Sequence, residues 1–360
     1  YKLNRIERKT QMNIPEDKMT PKERVGSLLQ GKPIDRVPCV PVILNGCARS
    51  AGYTVKEMTL DGEKFGKANV ATYKKYRHDM ICLLDATATT AEAAGTKLNY
   101  PEEMAAYVET PLIQSKDDLK KLRPLDPTKD GRLNNYLIAT EYCVSEVGEE
   151  VFVGVLFAGP FTTASCLRGT EVFMKELYKD KELVHQLLRW STDNTIPFLD
   201  EAIKRGGVPV LCEPVGTGSI LSTKAFSEFV EPYIKELNDH VKSKGLPAMN
   251  HICGDTRSVW GPWLNTGPTV ISVDRVDIGE VSRAYGDKVG IMGNVTTGKA
   301  LFMGSPEVVD AEVKDIMEKA GKNPCGFVLA SGCEVPVEAP PANIHAMMDA
   351  ARKYGQHPLQ

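Results

Sequence analysis

The sequence predicts a (β/α)8 barrel, on the strength of two observations. Eight short apolar runs recur along the 360 residues, and each ends at a polar residue or at a glycine. Longer charged or amphipathic segments separate these runs. This alternation is typical of a parallel sheet with helices on both faces, and eight such units close most naturally into a barrel. A doubly wound open sheet is the alternative.

Each element of the barrel has its own signal in the sequence. Thr20 before Pro21, with an acidic residue in the first turn, predicts a helix that runs to about Gly31. We expect residues 1–19 to form an N-terminal helical extension and residues 20–355 to form a single barrel domain. The predicted strands are residues 35–44, 80–84, 151–157, 208–212, 247–250, 270–273, 289–292 and 326–330, and the clearest helices between them are residues 170–194, 224–244 and 305–320.

Composition excludes several classes of protein. The net charge is only −3, so no basic face for nucleic acid or a membrane surface is expected. No apolar run reaches the roughly 18 residues of a membrane span, and residues 1–19 lack the apolar core of a secretory signal. Nine cysteines, an odd number spread over a long chain, favour reduced thiols over a disulfide framework. We therefore expect a cytoplasmic enzyme.

A histidine and two cysteines form a candidate metal site. His251 and Cys253 directly follow the fifth predicted strand, and Cys333 follows the eighth. A catalytic zinc ion commonly has three protein ligands of these types and one exchangeable position. In a barrel, the carboxyl ends of all the strands share one mouth, so residues distant in the chain can meet there. The alternative is that the cysteines are ordinary buried hydrophobic residues.

Several motifs resemble one known family over nearly the whole chain. These motifs are Met19-Thr-Pro-Lys-Glu-Arg24, Lys32-Pro-Ile-Asp-Arg-Val-Pro38, Gly159-Pro-Phe-Thr-Thr-Ala164, residues 286–294 and residues 336–343. Through them the sequence resembles the uroporphyrinogen decarboxylase superfamily, whose members are (β/α)8 barrels. His251-x-Cys253 together with Cys333 resembles the zinc-binding branch, the corrinoid-dependent methyltransferases typified by methylcobalamin:coenzyme M methyltransferase.

The chain departs from the decarboxylases at the positions that such enzymes use. Their arginine-rich loop after the first strand is represented here by the single Arg49. Their active-site tyrosine is replaced by Cys166, and their His-Gly pair after the eighth strand has become Gly332-Cys333. Asp85 retains its counterpart. These departures remove groups that bind carboxylates and add metal ligands.

The resemblance implies a zinc-dependent methyltransferase that moves a methyl group between a corrinoid and a small substrate. That substrate is either a thiol acceptor such as coenzyme M or a methoxyaromatic donor, in which case the enzyme is an O-demethylase. Zinc deprotonates a bound thiol or polarises an ether oxygen. The corrinoid is expected on a separate protein that docks transiently over the barrel mouth. The alternatives are a cofactor-free decarboxylase and a non-catalytic barrel with a structural metal.

Four other polar residues at strand ends are candidate site residues. Glu213 is a candidate fourth zinc ligand that the substrate displaces, or a carboxylate that only supports the site. Asp85 is a candidate catalytic group that orients His251 or the substrate, although the cap of the following helix would look the same in sequence. Asn45 and Asn294 are candidate cofactor-binding residues with the same ambiguity.

Overall fold

The computed structural model describes residues 14–358. Eight of its ten strands form one parallel sheet in the order β1-β10-β9-β8-β7-β6-β5-β2, and β3 and β4 form a separate antiparallel hairpin. The Asp79 backbone N–H, next to β2, donates to the Cys39 carbonyl in β1 at 2.9 Å. This hydrogen bond joins the two edge strands and closes the sheet into a barrel. The strands are β1 Cys39–Val40, β2 Met80–Leu83, β3 Lys97–Asn99, β4 Tyr107–Thr110, β5 Phe152–Ala158, β6 Val208–Cys212, β7 Met249–His251, β8 Val270–Ser272, β9 Gly290–Val295 and β10 Phe327–Ser331.

The helices surround this barrel. The prediction of a (β/α)8 barrel is confirmed, and the open sheet is not formed. Short 3-10 turns at Leu44–Gly46, Lys116–Lys121 and Arg257–Val259 and a π-helical turn at Thr297–Phe302 connect the main elements. The α-helices are α1 Pro21–Leu29, α2 Cys47–Ser50, α3 Val55–Leu60, α4 Gly62–Tyr76, α5 Thr89–Ala94, α6 Leu133–Val147, α7 Pro160–Arg168, α8 Thr170–Lys179, α9 Lys181–Lys204, α10 Thr223–Phe229, α11 Glu231–Ser243, α12 Trp260–Asn265, α13 Ile278–Tyr285, α14 Pro306–Ala320 and α15 Pro341–Tyr354.

Local sequence signals explain where several elements begin and end. Thr20 and Glu23 form a reciprocal capping box at the start of α1, as the sequence predicted. The predicted strand at residues 35–44 is only two residues long, because Pro38 and Pro41 flank it and cannot donate to a ladder. The predicted helix at residues 170–194 is two helices, separated where Asp180 caps α9 by accepting from the Leu183 N–H.

The predicted N-terminal extension is described only in part. Residues 14–19 contain no helix, and residues 1–13 lie outside the described residues. The predicted helix at residues 224–244 is divided at Val230 into α10 and α11. None of the helices within residues 14–358 combines the length and the apolar character that crossing a membrane requires.

The register of the strands determines which side chains share the barrel mouth. Cys212 in β6 pairs with His251 in β7, which pairs with Ser272 in β8, which in turn pairs with Met292 in β9. Paired residues of parallel strands point to the same face of the sheet. These side chains therefore form one layer of the barrel interior at its carboxyl end, where barrel enzymes have their active sites.

A buried ion network ties the amino end of the barrel together. Asp79 accepts from Arg24 at 2.5 Å, from Arg36 at 2.7 Å and from the Cys39 N–H at 2.6 Å. The Arg24, Arg36 and Asp79 side chains are fully shielded from solvent. A further carboxylate, Asp35, neutralises Arg24 at 2.7 Å. The network joins α1 to the first two barrel strands.

Replacing Asp79 by alanine should destabilise the fold strongly. Two buried guanidinium groups would lose their shared partner, which is expected to lower the free energy of unfolding by about 3 to 5 kcal/mol. Urea denaturation measures the change. The matched control is Asp239→Ala, which removes an exposed partner of Lys235 on α11 and should lower stability by no more than about 0.5 kcal/mol. Equal losses in the two variants would contradict a structural role for the network.

Candidate metal centre

Three side chains from two distant parts of the chain converge at the barrel mouth. His251 is the last residue of β7, Cys253 follows it by two positions, and Cys333 lies two positions after β10. His251 Nε2 is 3.2 Å from Cys253 Sγ, which is 3.7 Å from Cys333 Sγ. Their ligand atoms all lie within 4.8 Å of one another. Within the described part of the chain, no other group of three or more histidine, cysteine, aspartate or glutamate residues has this spacing.

The spacing and the chemistry of this group fit a zinc ion. Two sulfurs that each lie ~2.3 Å from a tetrahedral ion are about 3.8 Å apart, and a sulfur and a nitrogen are about 3.5 Å apart. The two spacings in the structure are 3.7 Å and 3.2 Å. One imidazole and two thiols are typical ligands of zinc and leave one position open in a tetrahedron.

A hydrogen bond between His251 and Ser272 fixes which histidine nitrogen faces the site. His251 Nδ1 is 3.0 Å from Ser272 Oγ, and Nε2 faces Cys253. A ligating histidine generally uses its second nitrogen in this way, which holds the ring and its tautomer. Ser272 thus has the orienting role for which Asp85 is the candidate in the sequence. The strand register β7–β8 was the missing signal, because it pairs His251 with Ser272 directly.

The two cysteine thiols shift each other's pKa in opposite directions. The Cys253 thiol, together with the nearby His251 ring, lowers the pKa of Cys333, and Cys333 in turn raises the pKa of Cys253. Because the two groups interact so strongly, they titrate as a pair. The pair therefore favours a thiolate at Cys333, and a divalent cation would displace the remaining proton.

Hydrogen bonds between side chains and backbone groups hold the two loops that carry the cysteines. Gly254 has a φ of +77°, a left-handed conformation that favours glycine, and its N–H donates to the Asp274 carboxylate at 2.9 Å. Thr217 Oγ1 donates to the Cys253 carbonyl at 2.5 Å. Ser331 Oγ donates to the Cys333 carbonyl at 2.7 Å. These hydrogen bonds position the loops of both candidate ligands.

The three candidate ligands lie on the wall of a cavity of about 290 Å³ inside the barrel mouth. Most of the lining is aliphatic, with thioether and thiol groups among it. The other lining residues are Val42, Leu44, Asn45, Met80, Cys82, Leu84, Asp85, Ala86, Thr87, Ala105, Ala106, Leu156, Val210, Cys212, Pro214, Met249, Ser272, Met292 and Glu334. A small molecule in this cavity would have direct access to the His-Cys-Cys group.

Glu213 is fully buried beside this cavity but does not belong to the group of three. Its carboxylate accepts from the Thr162 hydroxyl and from the backbone N–H groups of Phe161, at 3.2 Å, and Gly216, at 3.1 Å. Gly159 leaves room for it, since a Cβ there would lie 2.2 Å from Glu213 Oε2. Glu213 therefore joins the loop after β6 to the start of α7. It is not among the side chains that line the cavity.

Asp85 lines the cavity, but other residues already engage its carboxylate. Arg132 and Tyr136 both donate to it, and Thr89 Oγ1 donates at 3.4 Å. The alternative that Asp85 caps the following helix is wrong, because α5 begins at Thr89 with Ala88 at the cap position. Asp85 thus anchors α6 to the end of β2 rather than orienting His251.

The two candidate asparagines occupy different positions. Asn45 lines the cavity, and its backbone N–H and Nδ2 both donate to Glu334 Oε1 at 3.0 Å. Glu334 directly follows Cys333, so Asn45 supports the loop of a candidate ligand. Burial raises the pKa of Glu334. Asn294 instead donates to the Asp274 and Val276 carbonyls, at 2.9 and 2.7 Å, and does not line the cavity. Glu334 was not recognised in the sequence.

Replacing Ser272 by alanine should weaken zinc binding. The His251 ring would lose the group that holds its orientation and tautomer, which is expected to reduce zinc affinity about 10- to 100-fold. Competition with a chromophoric chelator measures the affinity. Ser191→Ala provides the control, because it removes a buried serine hydroxyl that donates to the Leu187 carbonyl within α9. Unchanged affinity in Ser272→Ala would exclude the positioning role.

Glu213 should make stability depend on pH. Burial raises its pKa from 4.5 to about 7. Between these values the folded protein retains a proton that the unfolded chain has lost, so stability falls as the pH rises through that window. Glu213→Gln should abolish this component, which amounts to about 1.4 kcal/mol for each pH unit of the shift. Denaturation of both proteins from pH 4.5 to 7 tests it, and parallel curves would contradict it.

Comparisons with known proteins agree with this architecture. Residues 20–354 match the family model described as uroporphyrinogen decarboxylase (URO-D). The chain is 27% identical over 349 residues to methylcobamide:CoM methyltransferase MtbA of Methanosarcina mazei, with 93% of this chain and 98% of the relative covered. It is 26% identical over 345 residues to methylcobamide:CoM methyltransferase MtaA of Methanosarcina barkeri, with the same coverage.

A decarboxylase and a solved structure are also similar. The uroporphyrinogen decarboxylase of Carboxydothermus hydrogenoformans is 26% identical over 310 residues, which cover 84% of this chain and 86% of that protein. The solved structure of a methyltransferase from Methanosarcina mazei superposes with a TM-score of 0.85 at 24% identity, covering 93% of this chain and 99% of that one. The chain belongs to the uroporphyrinogen decarboxylase (URO-D) family.

Proposed function

We propose that this protein is a zinc-dependent methyltransferase that moves a methyl group between a corrinoid and a small substrate. The observation that carries the proposal is the convergence of His251, Cys253 and Cys333 on the wall of a cavity at the barrel mouth. Three protein ligands beside a cavity leave the fourth position to a substrate, as in a catalytic zinc site. A structural site would need a fourth protein ligand and would leave no position open.

The residues around the metal perform separate tasks in this proposal. When bound, zinc supplies a lowered thiol pKa, or a polarised ether oxygen if the substrate is a methyl ether. Cys253 and Cys333 provide two negative charges that keep a substrate sulfur electron-rich. His251, held by Ser272, completes the set at a defined angle. None of the three is the nucleophile, which is the substrate itself when the acceptor is a thiol.

The support for a corrinoid comes from the relatives. Two relatives that this chain covers to 98% of their length are named methylcobamide:CoM methyltransferases. We propose that the corrinoid is carried by a separate protein that docks transiently over the barrel mouth and presents its methyl group to the cavity. The single barrel of residues 20–355 would then bind both reactants. Coenzyme M and a methoxyaromatic compound remain two candidate substrates.

The other candidate residues have supporting roles in this proposal. Asn45 and Glu334 fix the loop of Cys333, and Glu213 fixes the turn after β6. We assign Glu213 a structural role and leave the fourth metal position to the substrate. Asp85, which Arg132 holds in place, forms part of the cavity wall. Asn294 holds the loop after β8 and reaches the site only through Asp274, which bonds Gly254.

The lining of the cavity favours methyl transfer over decarboxylation of a porphyrinogen. A porphyrinogen substrate carries several carboxylates, which need cationic partners in a buried site. The described residues that line the cavity include no arginine or lysine. Membership of the same family does not decide between these reactions, because chemistry depends on the site rather than on the fold.

Cys333→Ser should abolish both zinc binding and methyl transfer. Loss of a direct ligand is expected to reduce the rate of thiol-dependent demethylation of methylcobalamin by at least about 100-fold, since even indirect supports of a ligand have effects of that size. Metal analysis and the absorbance of cobalamin measure the two effects. In the Co²⁺-substituted protein, the thiolate-to-cobalt charge-transfer band should weaken in parallel.

Cys212→Ser is the matched control for metal binding. Cys212 lies beside His251 in the strand register but outside the group of three, so this variant should retain one zinc ion. Full methyl-transfer activity in the metal-free protein would overturn the proposed function. A zinc site that stays closed to every added thiol, as judged from the cobalt spectrum, would support a structural metal instead.

A further inference from the structure

The cavity beside the candidate metal centre extends from the mouth into the barrel interior, toward the amino ends of the strands. Val210 and Met249 pair in register, two residues before Cys212 and His251 on the same strands. Residues two apart on a strand face the same side, so this pair lies one layer below the metal ligands. Met80 also lines the cavity. The floor of the cavity is therefore built of aliphatic and thioether side chains.

The charged residues that line the cavity are acidic. Asp85 and Glu334 are its two charged residues other than the metal ligands, and no arginine or lysine lines it within the described part of the chain. Arg132 contacts Asp85 and Glu92, and although its Nη2 has no hydrogen-bond partner, that atom is buried and Arg132 does not line the cavity. An anionic group would thus find no cationic side chain in the lining, and a cationic group would meet two carboxylates that other side chains already engage.

The basic residues near the mouth point to solvent instead. Arg49, Arg257 and Arg275 follow β1, β7 and β8, and their side chains are 49%, 55% and 83% exposed. Each lies within 4 Å of a carboxylate of Glu338, Asp255 or Asp274, respectively. None of the three lines the cavity.

We infer that the small substrate is an uncharged molecule with an apolar alkyl or aryl body, bound with its sulfur or oxygen atom toward the metal and its body in the cavity. This inference rests on the proposed function and names the substrate class of the same site. A buried anion without a partner is strongly disfavoured. Coenzyme M is a thiol with a sulfonate group, so this chain should differ in substrate preference from the relatives that are named for it.

The transfer itself balances with an uncharged thiol. The substrate sulfur releases its proton to solvent and forms the new carbon–sulfur bond. The cobalt–carbon bond of the corrinoid breaks, and its electron pair remains on cobalt. With an uncharged methyl ether, the methyl group moves in the opposite direction, from the substrate to cobalt. The carbon–oxygen bond breaks, the electron pair on cobalt forms the new carbon–cobalt bond, and the alkoxide or phenolate leaves.

A set of four thiols tests the inference on the zinc-loaded full chain with methylcobalamin as the methyl donor. The set contains 1-propanethiol and phenylmethanethiol, which are uncharged, 2-mercaptoethanesulfonate, which is an anion, and 2-aminoethanethiol, which is a cation. We expect kcat/KM for the uncharged thiols to exceed that for the sulfonate and for the ammonium thiol by at least about 30-fold. Equal or faster transfer to either charged thiol would overturn the inference.

Calorimetric binding of the same thiols separates this inference from the proposed function. Absence of methyl transfer to all four thiols, with tight binding of the uncharged pair, would refute the thiol reaction and support the inferred substrate class. Tighter binding of the sulfonate would refute the inferred class whatever the activity. Both outcomes are read from the same preparation.

Met249→Lys introduces a positive charge into the cavity lining. A cation on the cavity floor should shift the preference toward the sulfonate by at least about 10-fold relative to the unmodified chain. Met249→Leu is the matched control, since it keeps an apolar floor and should keep the preference for uncharged thiols. The readout is a ratio of two substrates on one preparation, so partial misfolding does not affect it. An unchanged ratio in Met249→Lys would contradict the assigned floor.

Discussion

The closure of the barrel is the constraint on which the candidate site depends. Cys253 and Cys333 are eighty positions apart in the chain, yet their sulfurs are 3.7 Å apart. They meet because β7 and β10 end at the same edge of one closed sheet, with β8 and β9 between them. A barrel has a single mouth at its carboxyl end, and curvature turns the side chains after these strands toward its centre. The candidate metal ligands therefore come from the ends of the barrel strands themselves.

The two ends of the barrel use polar groups in opposite ways. At the amino end, Arg24, Arg36 and Asp79, together with Asp17 and Asp35, pair with one another and hold the first elements together. At the carboxyl end, two sulfurs and an imidazole converge on the wall of a cavity instead of binding neighbouring elements together. The residues that stabilise the barrel therefore lie at one end and the candidate site at the other. Side chains of the site can vary without loss of the fold.

Family membership and chemistry are determined by different residues in this chain. The elements that form the barrel match the uroporphyrinogen decarboxylase (URO-D) family over residues 20–354. The identities to a decarboxylase and to two methyltransferases differ by only one percentage point. The His-Cys-Cys group and the acidic, otherwise apolar lining of the cavity are what favour methyl transfer. A few side chains at strand ends therefore carry more functional information than overall identity.

The sequence by itself determined the eight-unit barrel and the three candidate metal ligands, because strand periodicity and ligand type are local properties. Only the tertiary structure decided the roles of the carboxylates. Three carboxylates that follow strands look equivalent in sequence, namely Glu213, Asp85 and Glu334. In the structure, Glu213 accepts from backbone N–H groups, Asp85 accepts from Arg132, and Glu334 supports the Cys333 loop. The role of Ser272 likewise depends on the strand register, which pairs it with His251. Which partner a polar side chain finds depends on neighbouring strands, and these are remote in the chain.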